Sequence, residues 1–172
     1  MKEMEIARFT SVGGLLTSLT VLLQSAPVFL PVVGLALSPL STLPIALAAV
    51  FDISLGITVL FSSALILIMV SPQEAIILLF TTGILGAVMG TLLYRKGIIV
   101  SILSSAIILS SGMIILTYIV GVPGFGDLAD TLSLPFTLLT FFIFSLIYVS
   151  IWNICFRKFA NYLIKIRLIS TD

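Results

Sequence analysis

The chain has 172 residues, of which 60% are hydrophobic and only 9% charged, and its mean hydropathy is +1.34. That is too little polar surface to clothe a soluble globule of this size, so the sequence reads as an integral membrane protein forming one domain over residues 1–172. The net charge of +1 carries no nucleic-acid signal, and the single cysteine, Cys155, excludes an intramolecular disulfide and a cysteine metal cluster.

The first apolar run, residues 6–24, is long enough for about 28 Å of helix at 1.5 Å per residue. The preceding segment mixes charge signs and no small-x-small cleavage site follows cleanly, so a retained first span is expected rather than a signal peptide. Ser25 to Pro31 is an apolar, proline-bearing connection that cannot be regular helix throughout and is expected to fold back over the protein surface. The second span, 31–50, contains Pro39 and Pro44 around Ser38, Ser41 and Thr42, and reads as a proline-broken helix. Backbone groups freed inside a membrane must find partners in protein, hydroxyls or water. Asp52 marks a tight turn and suits the N-cap of the third span, 53–70.

Ser71-Pro72-Gln73-Glu74 has the capping-box pattern, with Ser at the N-cap, Pro at N1 and Glu at N3, and opens the fourth span, 75–93. Gly86 and Gly90 there form a G-x-x-x-G pair, which predicts close packing on another helix. The fifth span, 98–120, is rich in serine and carries Gly112, giving small residues for close approach or interhelical hydrogen bonds. A long loop through Phe125, Asp127 and Asp130 leads to the sixth span, 135–156. Residues 157–172 form a basic tail whose bases alternate with apolar residues at helical spacing, as in an interfacial helix.

Charge orients this arrangement. Lys2 and Arg8 lie before and in the first turn of the first span, Arg95 and Lys96 separate the fourth from the fifth, and Arg157, Lys158, Lys165 and Arg167 follow the sixth. Six crossings place all eight bases on one side, and the opposite loops hold Glu74, Asp127 and Asp130 with no base. By the positive-inside bias both termini are cytoplasmic. Merging the second and third spans would put Arg95 and Lys96 opposite Lys2, and charge parity rejects it. The expected fold is therefore all-α, a bundle of six transmembrane helices.

The polar inventory excludes much chemistry. With no histidine there is no histidine-ligated haem, no His-based zinc site and no Ser-His-Asp triad. No carboxylate pair can meet at membrane depth, no Gly-rich phosphate loop is present, and no charge crosses the bilayer centre to relay protons. Internal repetition of the transporter kind is also missing. Neither an enzyme nor a self-powered pump is expected, and no metal or other cofactor. A binder, a partner subunit or a scaffold remains.

In length, span number, orientation and the proline-bearing first loop Ser25 to Pro31, the chain resembles the substrate-binding S components of energy-coupling-factor (ECF) vitamin transporters. The likeness covers nearly the whole chain and is architectural. The resemblance implies a substrate-capture subunit in a bacterial or archaeal cytoplasmic membrane, taking up a vitamin or micronutrient and relying on a membrane coupling subunit and paired ATPases. Members dock that subunit through Ala-x-x-x-Ala on the first helix. The nearest match here is Ala7-x-x-x-Ser11, with Thr10, Gly14 and Ser18 at further four-residue steps, and such residues also serve helices that pack internally. The implied pocket lies at the outer helix ends, beneath the first and last outer loops, with Gln24, Phe29, Glu74, Thr81, Tyr118, Phe125, Asp127, Asp130 and Phe136 as candidate ligand contacts. Each has a competing reading: Glu74 reads first as a helix cap, the aromatics as headgroup anchors, and Asp127 and Asp130 as solvated loop charges. The absence of any outer base favours a neutral or cationic ligand over an anionic one. The alternative of another class is a membrane scaffold of the MreD-like kind acting through protein contacts. A channel-like or lipid-handling protein is a third reading, without a polar pore stripe to support it.

Overall fold

The computed structural model describes residues 2–122 and 133–165. No strand occurs among them, and six helical stretches are long and apolar enough to cross a membrane: Ile6–Phe29, Pro31–Phe51, Ile53–Val70, Pro72–Leu93, Ile98–Val120 and Leu134–Tyr162. The chain falls into two compact units, residues 1–91 and 92–172.

The first unit starts with α1 (Lys2–Gln24) and passes through Ser25 into α2 (Ala26–Phe29) and α3 (Pro31–Leu37). The connection Ser25 to Pro31 is thus one short helix, α2, and a break at Leu30, and the second span begins as α3. Pro27 and Pro31 each sit in a first helical turn, where the missing N–H costs nothing, and Leu30 breaks the chain between them at φ −133°, ψ 80°. Gly34 lies against the backbone of Ala26 and Pro27, an approach that leaves no room for a Cβ. A 3-10 turn, Ser38–Ser41, then leads into α4 (Thr42–Phe51). Pro39 lies inside that turn, and having no N–H it cannot donate the α-helical bond to Leu35.

α4 is the centre of this unit, with Thr42, Pro44, Ile45, Ala46, Ala48 and Ala49 all buried. Its small residues let three glycines come down onto it. Gly56 of α5 (Ile53–Val70) meets Ala49, and in α7 (Thr82–Arg95) Gly86 faces the Thr42 carbonyl while Gly90 faces the backbone of Ala46. A Cβ at Gly86 would stand 2.6 Å from that carbonyl oxygen. The G-x-x-x-G pair is thereby accounted for as internal packing of α7 on α4. Apolar side chains fill the rest, with Leu16, Ile45, Val59, Leu67 and Leu78 in one buried cluster.

Two local caps form as the sequence indicates. Asp52 accepts a hydrogen bond from the Ser54 N–H at 2.6 Å and starts α5. Ser71 accepts from the Glu74 N–H at 3.4 Å and starts α6 (Pro72–Phe80). The return arm of the capping box is not needed, because the Ser71 N–H already donates to the Leu67 carbonyl at 2.7 Å. The Glu74 carboxylate is left for another partner.

The second unit pairs α8 (Ile98–Ile115) with the long α9 (Leu134–Lys165). α8 ends in a π turn, Leu116–Val120, closed by Gly121 at φ +78° with the Val122 N–H on the Leu116 carbonyl at 2.9 Å. The two helices run antiparallel. Ser101 meets Asn153, its hydroxyl donating to Oδ1 at 2.7 Å, whereas further along α8 Met113 meets Ser145. Asn153 also donates to the Val149 carbonyl at 3.0 Å, so this buried amide is held by bonds from both helices.

Candidate functional site

Gln24 ends α1, yet its side chain is fully buried in the first unit. Leaving a primary amide unpaired there would cost several kcal/mol, and three neighbours prevent it. The amide nitrogen donates to Glu74 Oε2 at 2.8 Å, and the amide oxygen accepts from Ser41 Oγ at 2.7 Å and from Thr82 Oγ1 at 3.0 Å. One side chain therefore ties α1, the 3-10 turn, the start of α6 and the start of α7. Glu74 is half-buried, so the node reaches from the core toward the surface. Beside Ser41, the buried Thr42 hydroxyl has no hydrogen-bond partner.

Of the nine candidate ligand contacts, the structure brings Gln24 and Glu74 together. Thr81 is buried at the break between α6 and α7, at φ −125°, ψ −89°, and its hydroxyl donates to the Ile77 carbonyl at 2.6 Å. Phe29 is 70% exposed at the end of α2, which suits a headgroup or lipid contact. In the second unit Tyr118 lies in the π turn, 46% exposed, and Phe136 opens α9, 64% exposed. Phe125, Asp127 and Asp130 lie outside the described residues. Two bridging hydroxyls were not among the candidates. Ser41 stands out in the sequence only as part of a polar group between prolines, and nothing in the sequence singles out Thr82.

A second feature runs along α1. Ala7, Thr10, Ser11, Gly14 and Ser18 are all exposed, and nothing lies within 4 Å of where a Cβ on Gly14 would be. Thr10, Gly14 and Ser18, with Thr17 of α1 and Thr58 and Ser62 of α5, line an open groove of about 400 Å³. The hydroxyls of Thr10, Ser18 and Thr58 each donate to the carbonyl four residues back, at 3.0, 2.9 and 2.8 Å. Those three hydroxyls are satisfied within their own helices, and with Phe9, Leu55 and Ile66 also on its walls the groove presents a mixed surface of small and large apolar residues suited to approach by another helix. Much of the remaining exposed surface of α5 carries large apolar chains, among them Phe61, Leu65, Ile68 and Met69, as lipid contact requires.

No group of three or more His, Cys, Asp or Glu side chains able to hold a metal occurs among the described residues. Compared with protein families, with characterised proteins and with solved structures, the chain matches none.

Proposed function

We propose that this chain is the substrate-capture subunit of an ECF-type uptake transporter for a vitamin or micronutrient, embedded in a bacterial or archaeal cytoplasmic membrane with both termini inside. It takes a small neutral or cationic ligand from the outer side, and a membrane coupling subunit with paired ATPases supplies the energy. The observation that carries this reading is the α1–α5 groove. Thr10, Gly14 and Ser18, which the resemblance assigns to partner docking, stand open instead of packing inside the first unit. A helix of the coupling subunit would fill the groove, gaining van der Waals contact that lipid chains achieve poorly against a concave surface. On this reading the proline-interrupted second span and the α2–α3 hairpin form the outer cover, and the Gln24 node fixes the hairpin's approach to the bundle.

The test is isolation of the tagged protein from its host in mild detergent, followed by mass spectrometry of the proteins retained. Recovery of a large membrane coupling subunit with ATPases supports the reading. Recovery of envelope-synthesis or cytoskeletal proteins without an ATPase overturns it in favour of an MreD-like scaffold.

A further inference from the structure

The second unit gathers positive charge at one end. Arg95 and Lys96 immediately precede α8, and Arg157 and Lys158 follow Asn153 by about one turn of α9. Because the Ser101–Asn153 hydrogen bond pairs the start of α8 with the late part of α9 in antiparallel sense, these four residues share one end of the helix pair. All four are exposed, and the described residues of this unit include no Asp or Glu to neutralise them. A further set of donors lies at the same end. α8 begins after Gly97, held at φ +86° and lacking a side chain to cap the helix, so the N–H groups of Ile98, Ile99 and Val100 have no intrahelical acceptor. Leading away from the charges, α8 exposes Ile99 and Leu103 and α9 exposes Ile151 and Ile154.

We infer that this basic end is a binding site for the phosphate headgroup of an anionic phospholipid. Side-chain cations from two segments and the free N–H groups of α8 take the phosphate, while the adjoining apolar surface takes the acyl chains. That apolar continuation favours a lipid over a free phosphate ion, which would gain nothing from it. The inference holds whether or not the chain serves a transporter.

Native mass spectrometry of the purified full-length protein, titrated with phosphatidylglycerol and with phosphatidylcholine of the same acyl chains, tests it. Phosphatidylglycerol should bind in clear preference. Removing two cations, as R95Q/K96Q or as R157Q/K158Q, should cut that preference about twenty-five-fold, at roughly five-fold per cation. The double variant K2Q/R8Q, equal in charge change but placed on the first unit, should retain it, and millimolar glycerol 1-phosphate should not displace the lipid. Should a double variant fail to fold, K158Q alone carries the test, with an expected loss of about five-fold. Equal binding of the two lipids, an equal loss in K2Q/R8Q, or full displacement by glycerol 1-phosphate would each overturn the proposal.

Discussion

Replacing Gln24 by leucine keeps the size of the side chain and removes the whole polar node. Three hydrogen bonds vanish together: the one given to Glu74 and the two received from Ser41 and Thr82. A bond to a charged acceptor is worth about 1.5–3 kcal/mol, and a buried hydroxyl left without a partner costs about 1–3 kcal/mol. Part of that is recovered. Thr20, Thr81 and Thr91 show that hydroxyls in this chain readily turn back onto the carbonyl four residues earlier, and Ser41 and Thr82 have that option. Glu74, being half-buried, regains water or headgroup contact. The net loss for Gln24→Leu should therefore be about 2–4 kcal/mol, less than the sum of the bonds. In thermal unfolding of the detergent-solubilised protein this is a drop in Tm of roughly 5–15 °C. A double-mutant cycle with Ser41→Ala should give a coupling of about 0.5–3 kcal/mol. If Gln24→Leu unfolds within about 0.5 kcal/mol of the parent, or if the two changes add without coupling, the node does not bind α1 to the rest of the unit.

Glycine substitutions should divide sharply by position. Gly90→Ala sets a Cβ against the Ala46 backbone and should cost about 1–3 kcal/mol, whereas Gly14→Ala enters open space and should raise stability by up to about 1 kcal/mol, both read by thermal unfolding. Gly14→Leu should also fold normally yet lose the coupling subunit on isolation, so that loss of partner with unchanged Tm separates docking from folding. Gln24→Glu would place a second carboxylate beside Glu74. It should destabilise most at alkaline pH and recover as pH falls and a shared proton relieves the repulsion, measured as Tm between pH 5 and pH 8. With Cys155 replaced by serine, a cysteine at exposed position 96 should react with a membrane-impermeant maleimide in inside-out vesicles and not in intact cells.

What the sequence discloses here is set by the range of the interaction. The spans are written in apolar runs of about 20 residues, and the caps at Asp52 and Ser71 act within three residues of themselves, so both are legible from the residues alone. G-x-x-x-G predicts close packing, and α7 does pack closely, but the choice of α4 as its partner depends on Thr42 and Ala46 forty-four residues earlier. The Gln24 node joins residues 17, 50 and 58 positions apart. Gln24 and Glu74 stand out because amides and carboxylates are rare in this chain. Ser41 and Thr82 do not, since most hydroxyls here bond only to their own helix. The π turn around Tyr118 leaves no local sign beyond the glycine that closes it. The serines of the fifth span read as packing residues, and Ser101 does make an interhelical bond, to an asparagine whose importance shows only once α9 is set antiparallel to α8.

Whether the α1–α5 groove receives a helix of a coupling subunit is read out by a photo-crosslinking amino acid at position 14, activated in living cells. Position 14 should form an adduct with a large membrane protein that co-isolates with ATPases, and position 65, exposed on α5 outside the groove, should form none. An adduct from position 14 to a second copy of this chain or to an envelope-synthesis protein, or one formed equally from position 65, would contradict that docking.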